Sequence, residues 1–463
     1  MTTSVKVLKT LDKARTGERC TEKQWDYEIV PKTIAEIVKK YNLEKTCDVN
    51  NPVNTDMELA DRFYQAGFEA ATRLGLLCTD TETIIKVDEE ELLVNLKKVP
   101  AYLTLGEGDE KCTISTRTPS DGKPPKYGSP LSIQMNEEYY VPVAQGILSS
   151  RLIDIHEGPS LDTVMGSPLL AHSPYETFAG FYEARLRREA QWRAGRVGIG
   201  NMLVASSSTE YGNLAAFGIF SKPQIALCLI PSALKTNYPT LHKVVQTLEF
   251  GGYVESGSPT MIGGYTGGPE GCAVASIATD LLQYPVHFAH MSGAPTYDLR
   301  YAGNCGRHAV WSQTIASQAT SRNTNIVMLK TINQVSGPCT EMFFYESIVG
   351  FVAASVSGLE FTIGPRSGGG KYKNHLTPFE AWYTSAVFKG AAGLSAEKAN
   401  EIVKEVLPKF ENELRNPPKG KSFPECFNVQ TLEPSKEYLD LYLKMRKYAE
   451  DLGVPMPPDG VVS

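Results

Sequence analysis

Asn325-Ile-Val-Met-Leu-Lys330, then Glu341-Met-Phe-Phe-Tyr345 running on to Ala354, then Leu359-Glu-Phe-Thr-Ile363 lie in close succession. The first and last are short apolar runs with β-branched or aromatic side chains, the pattern of a buried strand. The middle stretch is long enough for several helical turns. Strand, helix, strand in this order predicts a parallel pair joined by a crossover helix. The alternation continues upstream, with short apolar runs at Arg151–His156, Val197–Leu203, Ile225–Ile230, Pro259–Gly263 and Tyr297–Tyr301 and helical patterns such as Ser173–Arg188 between them. Seven recognisable strands and one poorly marked one predict an α/β fold, a closed (β/α)8 TIM barrel whose core takes about 250 residues.

The flanks have a different texture. From Thr118 to Pro130 the prolines 119, 124, 125 and 130 mark a loop, which predicts a boundary there. Residues 1–130 read as a mainly helical extension packed on the barrel, 131–375 as the barrel and 376–463 as C-terminal helices. In the extension, Leu59, Phe63, Phe68 and Leu74 form an apolar stripe, and Asp88-Glu-Glu-Glu91 opens a second helix with acids where the helix dipole favours them. Ala396–Glu413 and Ser435–Leu452 are amphipathic.

Composition narrows the function classes. The 463 residues carry 46 Lys+Arg against 52 Asp+Glu, a net charge of −6, with a pI near 5.8. That balance argues against nucleic-acid binding, which needs a cationic surplus. The longest apolar run, Ile225–Ile230, is far short of the roughly 20 residues that span a bilayer. Met1-Thr-Thr-Ser-Val-Lys6 lacks the apolar core of a secretory signal. A cytoplasmic chain with no membrane partner is expected. The nine cysteines (20, 47, 78, 112, 228, 272, 305, 339 and 426) contain no Cys-x-x-Cys pair and read as reduced, mostly buried thiols.

Several chemistries fail on inspection. Gly364-Pro-Arg-Ser-Gly-Gly-Gly-Lys371 has Pro365 and Tyr372 where a P-loop needs Gly and Ser/Thr. There is no Gly-x-Gly-x-x-Gly after a strand and no Gly-x-Ser-x-Gly elbow. His287 and His290 lack the context of a metal pair, and no metal is expected. Two clusters remain. Gly263-Gly264-Tyr265-Thr266-Gly267-Gly268, followed by Glu270, combines flexible backbone, an aromatic ring and a carboxylate. It reads either as a tight turn with a solvated Glu or as a loop that lets a ligand or partner approach the backbone. Asn333-Gln334 and Gly337-Pro-Cys-Thr-Glu-Met342 stand between a strand and a helix. There Thr340 and Glu341 suit a helix start, and Cys339 near that helix end would have a lowered thiol pKa.

Taken together, Gly17-Glu-Arg-Cys-Thr21 with Trp25-Asp26, Cys78-Thr-Asp-Thr81, Ser173-Pro-Tyr-Glu176, Ala194-Gly-Arg-Val-Gly-Ile-Gly200, the Gly263–Gly268 loop with Glu270, Gly337–Met342 and Gly420-Lys-Ser-Phe-Pro-Glu-Cys426 resemble the monomethylamine methyltransferases of methanogens. The resemblance runs nearly end to end. It implies a TIM barrel and a homo-oligomer (hexamer or smaller). It also implies methyl transfer from a methylamine to the cobalt of a separate corrinoid protein docked at the barrel mouth, with no cofactor held tightly by this chain. That family carries pyrrolysine shortly after its Gly-Arg-x-Gly-x-Gly segment. Here the position is Met202, and the Gly-Pro-Glu that follows is replaced by Leu203-Val204-Ala205. Glu270 matches a family active-site acid, and Asn333-Gln334 matches a family Asn-Gln pair with a shorter spacer.

A thioether cannot form the adduct that pyrrolysine's imine makes with an amine. A quaternary ammonium or sulfonium already carries a full positive charge and leaves as a neutral molecule, so orientation by aromatic faces and a carboxylate suffices. The expected function is therefore corrinoid-dependent methyl transfer from a methylated, quaternary-type donor. Glu270 and Gln334 stand as catalytic candidates, and Met202, Tyr265, Tyr211, Glu341 and Cys339 as substrate-binding candidates. Gly263, Gly264, Gly267 and Gly268 would face the corrinoid partner. The alternatives are monomethylamine turnover by another activation, or a non-catalytic ligand-binding paralogue.

Overall fold

A computed structural model describes residues 3–203, 209–219 and 223–461. Its centre is a ring of parallel strands: β1 (Lys126–Ser129), β2 (Ile155–His156), β3 (Gly200–Leu203), β4 (Ile225–Leu227), β5 (Tyr253–Ser256), β6 (Met291–Ser292), β7 (Met328 and Leu329) and β8 (Phe361–Ile363). Neighbours pair in sequence order, and parallel bridges Ser292↔Met328 and Leu329↔Phe361 seat β7 between β6 and β8. Pairing of β8 with β1 closes the barrel.

Two of the runs read from sequence as barrel strands are not in the ring. Thr260–Ile262 and Thr296–Asp298 form a separate parallel pair beyond the ends of β5 and β6. Pro259 and Pro295 have no N–H for the ladder, and the chain bends at Gly257 and Gly293. A Cβ on Gly257 would stand 1.9 Å from the Gly293 carbonyl oxygen, so only glycine permits this crossing. The strands missed are β1, inside the proline-rich stretch and starting at Lys126 rather than after 130, and β5 and β6, which contain too few apolar residues to stand out.

Alternation along the strands sends one set of side chains inward. Ile155, Met202, Ile225, Leu227, Met291, Val327, Leu329, Phe361 and Ile363 form one buried cluster. An antiparallel hairpin, Tyr102–Leu105 with Cys112–Ser115, adds Leu103, Leu105, Cys112 and Ile114 to it. The hairpin belongs to the extension expected to be mainly helical. It seals the N-terminal end of the barrel, where the Glu107 N–H donates to the Gly198 carbonyl just ahead of β3 (2.9 Å).

The helix Met57–Leu74 starts at Asp56, whose side chain accepts from the Leu59 N–H, and buries Leu59, Phe63 and Leu74. It packs on Pro269–His287 and Arg307–Asn323, closely enough that a Cβ on Gly67 would meet Ile277 at 2.4 Å. At the other end Phe344, Phe379, Tyr383, Tyr438 and Tyr442 interlock, with Phe379 stacked on Tyr442 at 4.1 Å between centroids. This joins Lys436–Asp451 to the barrel helices. Among the described residues no helix is long and apolar enough to cross a membrane.

Candidate active site at the barrel mouth

Two residues beyond Ile155 and Tyr253, on the same inward faces of β2 and β5, stand Glu157 and Glu255. Both are fully buried. Ser132 Oγ donates to Glu157 Oε1 (2.7 Å), while Glu157 Oε2 and Glu255 Oε2 have no hydrogen-bond partner among the described residues. Burial pushes the Glu157 carboxyl up to about 8, against the pull of Arg187 and Arg366. Glu255 lies well above the usual carboxylate range, because of burial and then of the like charges of Asp280 and Glu157. A buried carboxyl short of donors is costly when ionised, so burial favours its protonated form. The pair is placed where barrel enzymes carry their chemistry, at the C-terminal ends of strands.

Arg187 ties this layer to the floor. It is buried, donates to the Met202 carbonyl (2.9 Å) and pairs with Glu183 on its own helix (2.9 Å). Gly158, with φ +101°, leaves room for it: a Cβ there would stand 3.0 Å from Arg187 Nε. On the far side the Tyr297 hydroxyl and Thr331 Oγ1 share a hydrogen bond (2.6 Å), and Arg366 influences both Glu157 and Tyr297.

The residues singled out from sequence occupy separate places. Met202 is wholly buried in the barrel floor; Val204 and Ala205 lie outside the described residues. Gln334 is buried beside the mouth, its amide nitrogen donating to Ser347 Oγ (3.3 Å) and its oxygen accepting from the Arg366 N–H (3.2 Å). Glu270 begins the helix Pro269–His287 and accepts from the Cys47 N–H (3.1 Å). With Gly263, Gly264, Gly267 and Gly268 it borders a cavity of about 830 Å³ against Pro31, Ile34 and Val38, between the barrel and the N-terminal extension. Tyr265 borders the same cavity. Its hydroxyl donates to the Ala233 carbonyl, and Lys235 Nζ sits 5.4 Å from its ring centre, so this ring already faces a cation of the protein.

Tyr211 is exposed at the rim, edge-on to His172 at 6.5 Å. Thr340 caps the helix Glu341–Val356, and Glu341 pairs with Lys444, which holds its carboxyl below the usual range. Cys339 lies against the C-terminal layer. The structure brings Glu270, Tyr265 and the glycines together, but not with Met202 or Gln334.

Glu157 and Glu255 were not recognised from sequence. Each stands at a strand end just before a glycine and a proline, in Glu157-Gly-Pro159 and Glu255-Ser-Gly-Ser-Pro259. That is the signal that was available: a carboxylate at the point where a barrel strand is stopped by Gly and Pro. His287 and His290 serve the scaffold. His287 shares hydrogen bonds with Thr236, Ser256 and Gln283, and His290 takes the Val254 N–H.

Comparison with known proteins agrees with the architecture. The family model "Monomethylamine methyltransferase MtmB" matches residues 5–454. Monomethylamine methyltransferase MtmB1 of Methanosarcina acetivorans is 29% identical over 96% of this chain and 97% of its own. MtmB of Methanosarcina mazei is 28% identical over the same shares. The crystal structure of the Methanosarcina barkeri enzyme superposes with a TM-score of 0.92 at 26% identity, covering 97% of this chain and 98% of that one, and the hydroxylamine complex of MtmB matches equally. From its end-to-end sequence match and its closed barrel, this chain belongs to the monomethylamine methyltransferase MtmB family.

Proposed function

We propose that this chain is a corrinoid-dependent methyltransferase whose donor is a methylated cation, a quaternary ammonium or related onium compound, and that it works without an imine adduct. The observation that carries the reading is the pair of buried carboxyls, Glu157 and Glu255, each with an oxygen that no donor satisfies. A methylated cation entering from the C-terminal face supplies the missing positive charge. Glu157, protonated in the empty site at neutral pH, gives up its proton and becomes the counter-ion.

The acceptor is Co(I) of a separate corrinoid protein, approaching at the mouth because the hairpin seals the floor. Its attack on the methyl carbon breaks the carbon–nitrogen bond, and the amine leaves neutral. The residues of this chain bind and orient; bond breaking needs no proton, because the leaving group is already activated by its charge. Met202 fills the floor beneath the donor and takes no part in bond making. Glu270, Tyr265 and the glycine loop are assigned to the partner-facing side of the molecule, with Gln334 setting the Arg366 backbone at the rim. A homo-oligomer accords with the family resemblance.

The test mixes purified protein with a Co(I) corrinoid protein and a panel of N-, S- and O-methyl compounds and follows methyl-Co(III) by absorbance. Conversion with quaternary or sulfonium donors, lost in Glu157→Gln, supports the reading. Conversion with monomethylamine alone would replace the donor, and no conversion with any donor would leave only the binding paralogue.

A further inference from the structure

The helix Pro174–Arg193 buries Glu183 and Arg187 and turns another face to solvent. Phe178, Phe181, Arg185, Arg188 and Trp192 are all exposed there, separated by 3, 4, 3 and 4 residues. That spacing is the seam by which one helix packs along another, and among the described residues nothing covers it. The ion pairs of this helix are Arg187 with Glu183 and Arg193 with Glu189, which leaves Arg185 and Arg188 without a carboxylate partner among the described residues. Beside the aromatic end lies a groove of about 500 Å³ lined by Pro174, Thr177, Phe178, Phe181 and Tyr211. With Tyr175 and Tyr211, which are also exposed, the rings leave roughly 500 Å² of aromatic surface in water at ~200 Å² per residue. That is over half of the ~800 Å² each partner gives to a standard interface, and rings mixed with arginines are what interfaces enrich. We propose that this face is a two-fold contact with a second copy of this chain. The two helices run antiparallel, with Phe178 against the partner's Arg188 and Phe181 against the partner's Arg185.

Charge selects this register. Parallel pairing in step, or antiparallel pairing centred on Arg185, sets the two copies of Arg185 against each other, and like charges in contact oppose association. Centred between Phe181 and Arg185, the antiparallel pair lays each guanidinium on an aromatic ring, and the two-fold axis repeats every contact. Trp192 then falls opposite the partner's Pro174, where the partner's groove lies. Of the four tryptophans, Trp25, Trp311 and Trp382 are buried while Trp192 is 73% exposed, a ring left in water until a second copy supplies the groove. The buried side of the same helix places Arg187 on the Met202 carbonyl, so the contact braces that wall of the site. The contact gives the proposed homo-oligomer its face and rests on that reading alone, not on the identity of the methyl donor.

The experiment uses the full-length protein, sedimentation velocity for its mass and acrylamide quenching of tryptophan fluorescence for the face. The wild-type protein should sediment as an even-numbered assembly with Trp192 shielded from the quencher. Phe181→Arg, which sets two guanidiniums against each other, should sediment at half that mass or less and open Trp192 to acrylamide. Adding Arg185→Glu to that variant puts a carboxylate opposite the new cation and should restore the wild-type mass. Trp192→Ala should weaken association at least tenfold. Circular-dichroism melts establish that each variant is folded, and the wild-type quenching decides by itself where one is not. A monomer or an odd-numbered assembly, a mass unchanged by Phe181→Arg, a mass that Arg185→Glu fails to restore, or a Trp192 quenched freely within the assembly overturns the proposal.

Discussion

At the floor of the barrel Ile155 and Met202 lie buried among hydrocarbon, whereas one strand period further on Glu157 and Glu255 are equally buried but only partly hydrogen-bonded. The same alternation that sends apolar side chains to the axis sends these carboxyls there. The floor therefore stabilises the fold, while the mouth carries polar groups with unfilled hydrogen-bonding capacity, the place where the proposed donor would bind. The shortage of donors is not exclusive to the mouth: Asp280, Glu210 and Glu380 also carry an oxygen without a hydrogen-bond partner among the described residues, whereas Glu346 and Glu360 have a donor on each oxygen. Glu346 accepts from the Val335 and Ser336 N–H groups, and Glu360 from those of Arg117 and Met328.

The largest way to break the contrast is at its seam. Arg187→Met leaves Glu183 without its guanidinium and frees the Met202 carbonyl; a loss of about 3–5 kcal/mol in unfolding free energy is expected by urea titration. At the floor, Met202→Ala should cost about 2–5 kcal/mol as a cavity, whereas Met202→Leu should cost under about 1.5 kcal/mol and leave methyl transfer unchanged. Activity lost in the leucine variant would show that the thioether takes part in the reaction.

At the mouth the signs reverse. Glu157→Gln should reduce kcat/KM for a cationic donor on the order of 100-fold, about 2.7 kcal/mol, without lowering the melting temperature. Smallest is the pH effect. The Glu157 carboxyl is raised to about 8 in the fold from the ordinary value near 4.5, so the native state holds more protons than the unfolded one between those values. Its stabilising contribution is complete below about 4.5 and is lost as pH rises through about 8. Glu346, Glu360 and Glu380, raised by burial to about 7, 8 and 8, act in the same direction. The melting temperature should fall from pH 5 to pH 8, and a saturating quaternary ammonium should offset part of the fall. Calorimetry should also detect proton release on binding, with affinity rising up to about tenfold per pH unit below 8.

Legibility followed hydrophobic content. β4 and β8 stood out because Ile225-Ala-Leu227 is apolar on both faces, as strands covered by helices are, and Phe361-Thr-Ile363 pairs two large apolar side chains with a β-branched residue. β1 hid in Lys126-Tyr-Gly-Ser129, because an inward glycine was needed where Ile363 and Phe361 fill the axis. Conversely Pro259–Gly263 and Tyr297–Tyr301 looked like ring strands because local pattern carries no information on which ladder a segment joins. The candidate site suffered more. Glu270 and Tyr265 drew notice as a compact motif, and they do share one cavity, but it lies between the barrel and the N-terminal extension. Glu157 and Glu255, far apart in the chain, form a pair only through barrel closure.

By itself the sequence determined the kind of architecture and the family. Each of these rests on local periodicity or on the identity of single residues. Tertiary structure alone decided which strands close the ring and which carboxyls share the axis. Those are contacts between distant segments, set by the burial of shared surface, and no spacing along the chain encodes them.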